Sequence, residues 1–270
     1  MNQIETFKNL ITILDTETTN LQPELCEIVE VAGTVWHNGT WESSGMLLGA
    51  HNGIPPEASA KNNISNKMIS GLLTFDQNVS KVKQLLNWPH SKWYVAHNAE
   101  YDKAALKHAF SKIDSSSDIV LCEDQSRWIC TWRLSKQILC HEFNDIQYGL
   151  NYLRYKLNLP IADSVGVHRA EADTYVTAIL LDKLIELALT NKQISLTEDI
   201  GVQLNKLCWG NIPVTVWPFG KYRGKLLEEL DNEYYTWALK NLPQFNDSNS
   251  EYDADLVESV RQVLEKRLSA

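Results

Sequence analysis

Hydrophobic and polar positions alternate in short blocks along the first third of the chain. The run Ile11-Thr12-Ile13-Leu14 is apolar and β-branched, and it stops at Asp15 before the polar stretch Thr16 to Asn20. That pattern predicts a buried strand ending near Asp15. Positions 27–36 alternate and predict a second strand, 44–48 a weaker third, with Gly39 in the turn between them. Ile54-Pro55-Pro56 opens a stretch expected to be a long polar loop. Apolar residues at 75, 79, 82, 85 and 86 follow a helical spacing, 93–96 is a short apolar strand, and 99–110 returns to the helical period. Ser115-Ser116-Ser117-Asp118 marks a surface loop. Helices are expected over 131–139 and 146–157, the latter ending before Pro160, and the most regular one over 170–189.

Beyond Thr190 the pattern loosens until Ile212. A compact module then follows, with a strand over 214–217, a tight turn over 219–225 and helices near 234–242 and 256–268. Strands first, then alternating strands and helices, imply an α/β domain over 1–190, a linker over 191–211 and a small α+β module over 212–270.

Composition narrows the classes. With 270 residues, 44% apolar and 22% charged, the chain is ordinary for a globular protein and unlike a disordered or fibrous one. The apolar stretch 175–181 is far too short to span a bilayer. The start MNQIETFKNL lacks a basic region followed by a long apolar run, so a cytoplasmic location is the expectation. Five cysteines with no Cys-x-x-Cys pair argue against a disulfide framework or a zinc ribbon. A net charge of −9 argues against a protein that grips nucleic acid over its whole surface. No Gly-x4-Gly-Lys-Ser/Thr loop is present, which disfavours a nucleotide-binding ATPase or kinase.

Four acids stand out against this background. Asp15 and Glu17 are two residues apart on a strand, so both carboxylates share one face at its carboxyl end. Asp102 and Asp173 lie early in their helices, on the apolar stripes continued by Ala105, Leu106 and Ala109 and by Val176, Thr177 and Leu180. A carboxylate on such a stripe is costly without a compensating charge, and helix capping could explain either one alone. Taken with the same-face pair, they point to divalent cations. Oxygen donors favour Mg²⁺ or Mn²⁺ over zinc, and clustered carboxylates suit two ions in phosphodiester cleavage. His168, five residues before Asp173, has the near-neutral pKa suited to a general base. His97 and Asn98 directly follow a strand, where contact with substrate or with the sheet end fits better than proton transfer.

In order, these residues are Asp15-Thr16-Glu17-Thr18, then His97-Asn98-Ala99-Glu100-Tyr101-Asp102, then His168-Arg169-Ala170-Glu171-Ala172-Asp173. That order resembles the DEDDh 3′→5′ exonucleases of the ribonuclease H-like superfamily. The segments 93–99, 128–131 and Phe219-Gly220-Lys221-Tyr222-Arg223-Gly224-Lys225 are similar to its exodeoxyribonuclease X-like branch, so the likeness covers nearly the whole chain. The resemblance implies a mixed five-stranded sheet flanked by helices and a metal-dependent enzyme releasing 5′-mononucleotides from DNA 3′ ends, single-stranded and duplex. It implies two Mg²⁺ ions, with Mn²⁺ able to substitute: Asp15, Glu17 and Asp173 hold one, and Asp15 bridges to a second supported by Asp102. His168 takes the proton. Thr16, Thr18, Leu21, Gln22, His97, Asn98 and Tyr101 are then substrate contacts, Leu21 as a wedge under the last base pair. Tyr101 stands where the family commonly has Phe, 111–127 is longer than expected, and 63–65 lacks a histidine often found there.

The basic turn is the remaining candidate. Lys221, Arg223 and Lys225 lie among Trp217, Phe219 and Tyr222, a mixture suited to phosphates and stacked bases, although a solvated hairpin is the commoner explanation of such a charge pattern. RNA or short oligonucleotides are alternative substrates, since nothing here selects against a 2′-hydroxyl. A non-catalytic nucleic-acid-binding subunit is the alternative of another class. Retention of all four acids argues against it.

Overall fold

The computed structural model describes residues 3–139, 147–162, 165, 169–246 and 253–269. The chain divides into two compact units, residues 1–134 with 147–208, and residues 135–146 with 209–270.

The first unit begins with helix α1 (Gln3–Lys8) and strands β1 (Ile11–Thr18), β2 (Ile28–His37) and β3 (Thr40–Leu47). Short helices α2 (Pro56–Asn62) and α3 (Asn66–Ile69) precede α4 (Phe75–Leu85), and strand β4 (Trp93–Ala96) leads into α5 (Ala99–Ser111). Helix α6 (Ser116–Glu123), strand β5 (Trp128–Cys130), α7 (Thr131–Leu139), α8 (Leu150–Lys156), the long α9 (Ala170–Thr190) and α10 (Ile200–Trp209) follow, the first unit taking α7 up to residue 134 and α10 up to residue 208. The sheet order is β3-β2-β1-β4-β5. Antiparallel pairing joins β1 to β2 and β2 to β3, and parallel pairing joins β1 to β4 and β4 to β5. This is the mixed five-stranded sheet of the ribonuclease H-like class. The central strand β1 is buried on both faces up to Leu14, its one polar residue there, Thr12, paired with the Ser91 hydroxyl (2.7 Å), and it packs against α9 and α5.

Several elements depart from the sequence pattern, each for a physical reason. The stretch opened by Pro55 and Pro56 is not a loop: Pro56 sits at the first position of α2, where its missing N–H costs nothing. Ser115–Asp118 starts α6 rather than forming a loop. The buried Asp118 side chain accepts hydrogen bonds from Ser115, Lys83 and the Trp88 indole. The stretch expected as a linker carries α10, whose Ile200, Leu204 and Cys208 are buried at helical spacing. Gly201 obscures that period, yet it is needed there, because a Cβ would lie 2.5 Å from the Trp93 ring. Cys26, Cys122, Cys130 and Cys208 are free and buried.

The second unit packs around Trp217, which is fully buried with Leu227, Leu230, Tyr235, Leu256 and Val260. Its helices are α11 (Asn232–Asn241) and α12 (Ala254–Leu268). The expected strand over 214–217 makes only a single bridge, Val216 to Leu226. The chain doubles back too soon for a ladder: the Trp217 N–H donates to the Lys225 carbonyl (2.8 Å), and the Val214 N–H is taken by Ser259 Oγ (2.9 Å).

Candidate active site

The carboxyl end of β1 places the acids. Asp15 and Glu17 alternate with buried Thr16 and Thr18, so their carboxylates emerge together on the less covered face. Asp173 is the fourth residue of α9, whose first turn lies over the sheet. Oxygens of Asp15, Glu17 and Asp173 all fall within 4.8 Å of one another. Asp102 sits in the first turn of α5, immediately beyond β4, and is buried. Its Oδ1 accepts from the Thr16 N–H (3.0 Å) and the Thr16 hydroxyl (2.8 Å), which aims the carboxylate at the strand that carries Asp15. The structure therefore gathers three acids tightly and holds the fourth beside them through Thr16.

The electrostatics follow from this crowding. Burial, and then the charges of Asp102, Glu17 and Asp173, hold the Asp15 carboxyl well above the ordinary carboxylate range. Glu17 is pushed up to about 8 by burial and by Asp173 and Glu30. Burial pushes Asp102 up to about 7 against the opposing Thr16 hydrogen bonds. Like charges this close cannot all ionise unless positive charge joins them. Carboxylate oxygens gathered around one point fit a divalent metal ion.

Glu30 and Arg169 are the site residues that sequence reasoning missed. Glu30 faces Glu17 across the β1–β2 ladder and is buried. Its carboxylate accepts a bidentate pair from Arg169, Nε at 3.1 Å to both oxygens and the terminal nitrogen at 2.6 Å, plus the Ala170 N–H at 3.0 Å. That clamp fixes the first residue of α9 and hence the turn that carries Asp173. The available signal was an acid within an otherwise buried strand and an arginine at the start of a helix; their pairing across the fold was not visible.

The remaining expected contacts divide. His97 donates through Nε2 to the Tyr148 carbonyl (2.9 Å) and accepts from the Thr131 hydroxyl at Nδ1 (3.0 Å). Burial lowers its pKa to about 4, so it is neutral, and both nitrogens are engaged within the protein. Thr16 and Thr18 direct their hydroxyls to Asp102 and toward Tyr101 and the Asn20 carbonyl. Tyr101 does more than pack, since its hydroxyl pairs with Thr18 Oγ1 and donates to the Asn20 carbonyl (2.6 Å). Asn98 is exposed in the left-handed region at the start of α5. Leu21, 68% exposed, edges a cleft of about 480 Å³ that begins at Thr16 and Glu17. Glu57, Lys61 and Asn62 of α2 form its other wall, and Asn62 ties that helix to β1 through the Thr18 carbonyl (3.3 Å). Gln22 is exposed beside Leu21. His168 lies outside the described residues.

Lys221, Arg223 and Lys225 are exposed in the second unit, away from these acids in sequence. Two of the aromatics grouped with them behave otherwise: Trp217 is fully buried, and Phe219 is partly buried and packs edge-on against it (5.1 Å). No helix among the described residues is long and apolar enough to cross a membrane.

Comparison with known proteins agrees with this geometry. The chain is 28% identical over 241 residues to exodeoxyribonuclease 10 of Escherichia coli K12, covering 86% of this chain and 92% of that one. It is similar to exonuclease X, solved in complex with 5′ overhanging duplex DNA, at 25% identity and a TM-score of 0.51 over 73% of this chain and 99% of that one. It shares its fold with Escherichia coli exonuclease I, solved with a dA16 oligonucleotide, at 15% identity and a TM-score of 0.51 over 65% of this chain and 40% of that one. The exonuclease (RNase T) family model matches residues 12–181, which span the sheet and all four acids, so the chain belongs to the exonuclease family and is a hydrolase of the 3′→5′ exonuclease type.

Proposed function

We propose that the chain is a Mg²⁺-dependent exodeoxyribonuclease that removes 5′-mononucleotides from DNA 3′ ends, both single-stranded and at duplex termini. The observation that carries this reading is the meeting of Asp15, Glu17 and Asp173 oxygens within 4.8 Å, with Asp102 held beside them. Asp15, Glu17 and Asp173 would hold one ion, and Asp15 with Asp102 a second; Mn²⁺ would substitute. Bound there, the ions supply Lewis acidity that eases deprotonation of water and offsets the charge building on the phosphate.

The chain's own residues do the rest. Thr16 holds Asp102 in register with the strand, and the Glu30–Arg169 clamp sets the α9 turn that presents Asp173. His168, next to Arg169 in sequence, takes the proton from the attacking water. The cleft beside Glu17 receives the terminal nucleotide, and Leu21 at its edge packs beneath the last base. The named substrates of exodeoxyribonuclease 10 and of exonuclease X support DNA over RNA. Labelled DNA and RNA oligonucleotides, digested by the unmodified chain and by Asp15→Asn with Mg²⁺ or chelator, test the reading. A DNA ladder shortening from the 3′ end, absent in the variant and in chelator, is expected; activity that survives chelation, or preference for RNA, would overturn it.

A further inference from the structure

The second unit carries an exposed aromatic ladder beside its basic turn. Tyr234 packs edge-on against the buried Trp217 (centroids 5.1 Å), stacks on Trp237 (5.7 Å, 25°) and meets Tyr222 edge to face (4.4 Å). Trp237 at the outer end is 50% exposed. A large aromatic left this open yet braced by the core offers a rigid apolar face to a partner. Lys221 Nζ lies 4.8 Å and Lys225 Nζ 5.4 Å from the Tyr222 centroid. The turn that presents them is held by the Trp217 to Lys225 and Gly224 to Trp217 backbone bonds (both 2.8 Å). Gly220 (φ 61°) and Gly224 (φ 82°) supply the left-handed backbone that other residues resist.

Ion pairing distinguishes these cations from two on α12. On α12, Lys266 pairs with Glu228 (2.7 Å) and Arg261 with Glu265 (3.3 Å). Among the described residues no carboxylate lies within 4 Å of Lys221, Arg223 or Lys225. Of the α11 acids, Asp231 caps the helix by accepting the Tyr234 N–H (2.6 Å), and Glu233 is exposed one turn before Trp237. Three cations thus face solvent on a turn whose Tyr222 connects through Tyr234 to the half-exposed Trp237 indole.

We propose that this surface binds single-stranded nucleic acid, namely unpaired nucleotides of the DNA being digested, with a base stacked on Trp237 and phosphates at Lys221, Arg223 and Lys225. The proposal rests on the reading of DNA as substrate. Unpaired bases expose a π-face that a duplex keeps inside its own stack, and cations around an aromatic step suit the flanking phosphates. An acidic peptide would use the cations but leave the indole without a matching face.

Fluorescence anisotropy of labelled dT30 with the full chain, in chelator so that nothing is digested, tests this at two salt concentrations. Trp237→Ala is expected to weaken dT30 binding roughly tenfold, with most of the affinity kept in Trp237→Phe. The same Trp237→Ala change should weaken binding of a blunt duplex less than about twofold, because a closed stack has no base to offer the indole. Lys221→Glu with Lys225→Glu should weaken dT30 binding and flatten its salt dependence. Trp237 is half-exposed and stacks on Tyr234, so thermal melts of Trp237→Ala and Trp237→Phe should stay within a few degrees of the parent. Unchanged dT30 affinity in Trp237→Ala, equal losses on duplex, or loss only in the lysine variant would overturn the stacking site, as would tighter binding to polyglutamate than to dT30. Digestion of dT30 by the unmodified chain with Mg²⁺ is run in parallel; its failure removes the nuclease reading whatever the anisotropy shows.

Discussion

The acidic centre and the basic turn are opposite ways of presenting charge. The centre draws Asp15 and Glu17 from β1, Glu30 from β2, Asp102 from α5 and Asp173 from α9, and crowds them where burial and mutual repulsion raise the Asp15 and Glu17 carboxyls. The turn takes three cations from five consecutive positions, leaves them in water and rests two of them on one ring. The contrast teaches that the centre is destabilised until cations arrive and depends on long-range packing. The turn is held by a few backbone bonds to the buried Trp217. Damage at the centre should therefore be nearly total, and damage at the turn graded.

The largest expected effect is that of Asp15→Asn on turnover, a fall of at least about 10³-fold, since ions held in common act as a unit. A loss of only a few fold in steady-state kcat would make the centre as graded as the turn. Next comes Arg169→Ala, which leaves the Glu30 carboxylate buried with only the Ala170 N–H. Urea unfolding should show a loss of up to about 3 kcal/mol, partly recovered by Arg169→Lys, which cannot supply the bidentate pair. A neutral result would mean the clamp is dispensable.

Melting in chelator across pH sharpens the same contrast. The Glu17 carboxyl rises from 4.5 to about 8 on folding, and Asp102 rises in the same direction from 3.8 to about 7. The folded state therefore binds these protons more tightly than the unfolded chain does. Their stabilisation is full below the unfolded values and is lost as pH climbs toward the folded ones. The melting temperature should fall by several degrees from about pH 5 to pH 8, and saturating Mg²⁺ should remove the fall. A flat profile would show a solvated centre. The smallest effect is expected at the cleft edge, where Leu21→Ala and Tyr101→Phe should each slow duplex digestion about two- to fivefold more than single-strand digestion, Tyr101→Phe by freeing the Asn20 backbone. Equal losses on both substrates would argue that neither residue meets the last base pair.

Much of the centre was legible because its acids sit where local periodicity exposes them: on one strand face, and on the apolar stripes at two helix starts. The α10 helix was hidden because Gly201 breaks the local propensity, and the reason for that glycine, the Trp93 ring, is more than 100 residues away. Trp217 and Phe219 read as candidate stacking residues beside the basic turn, whereas folding buries Trp217, packs Phe219 against it and joins Tyr234 and Trp237 of α11 to Tyr222 of the turn.

By itself the sequence determined the α/β class, the strand that ends in Asp15 and Glu17 and the acids that face inward, because period and burial cost act over a few residues. Only the tertiary structure decided that Thr16 holds Asp102, that Glu30 clamps Arg169, that His97 pairs with Thr131 and the Tyr148 carbonyl and that Trp237 stays half-open. Each of these is a pairing between distant segments, and a carboxylate or an indole carries no local mark of the partner it meets once the chain has closed.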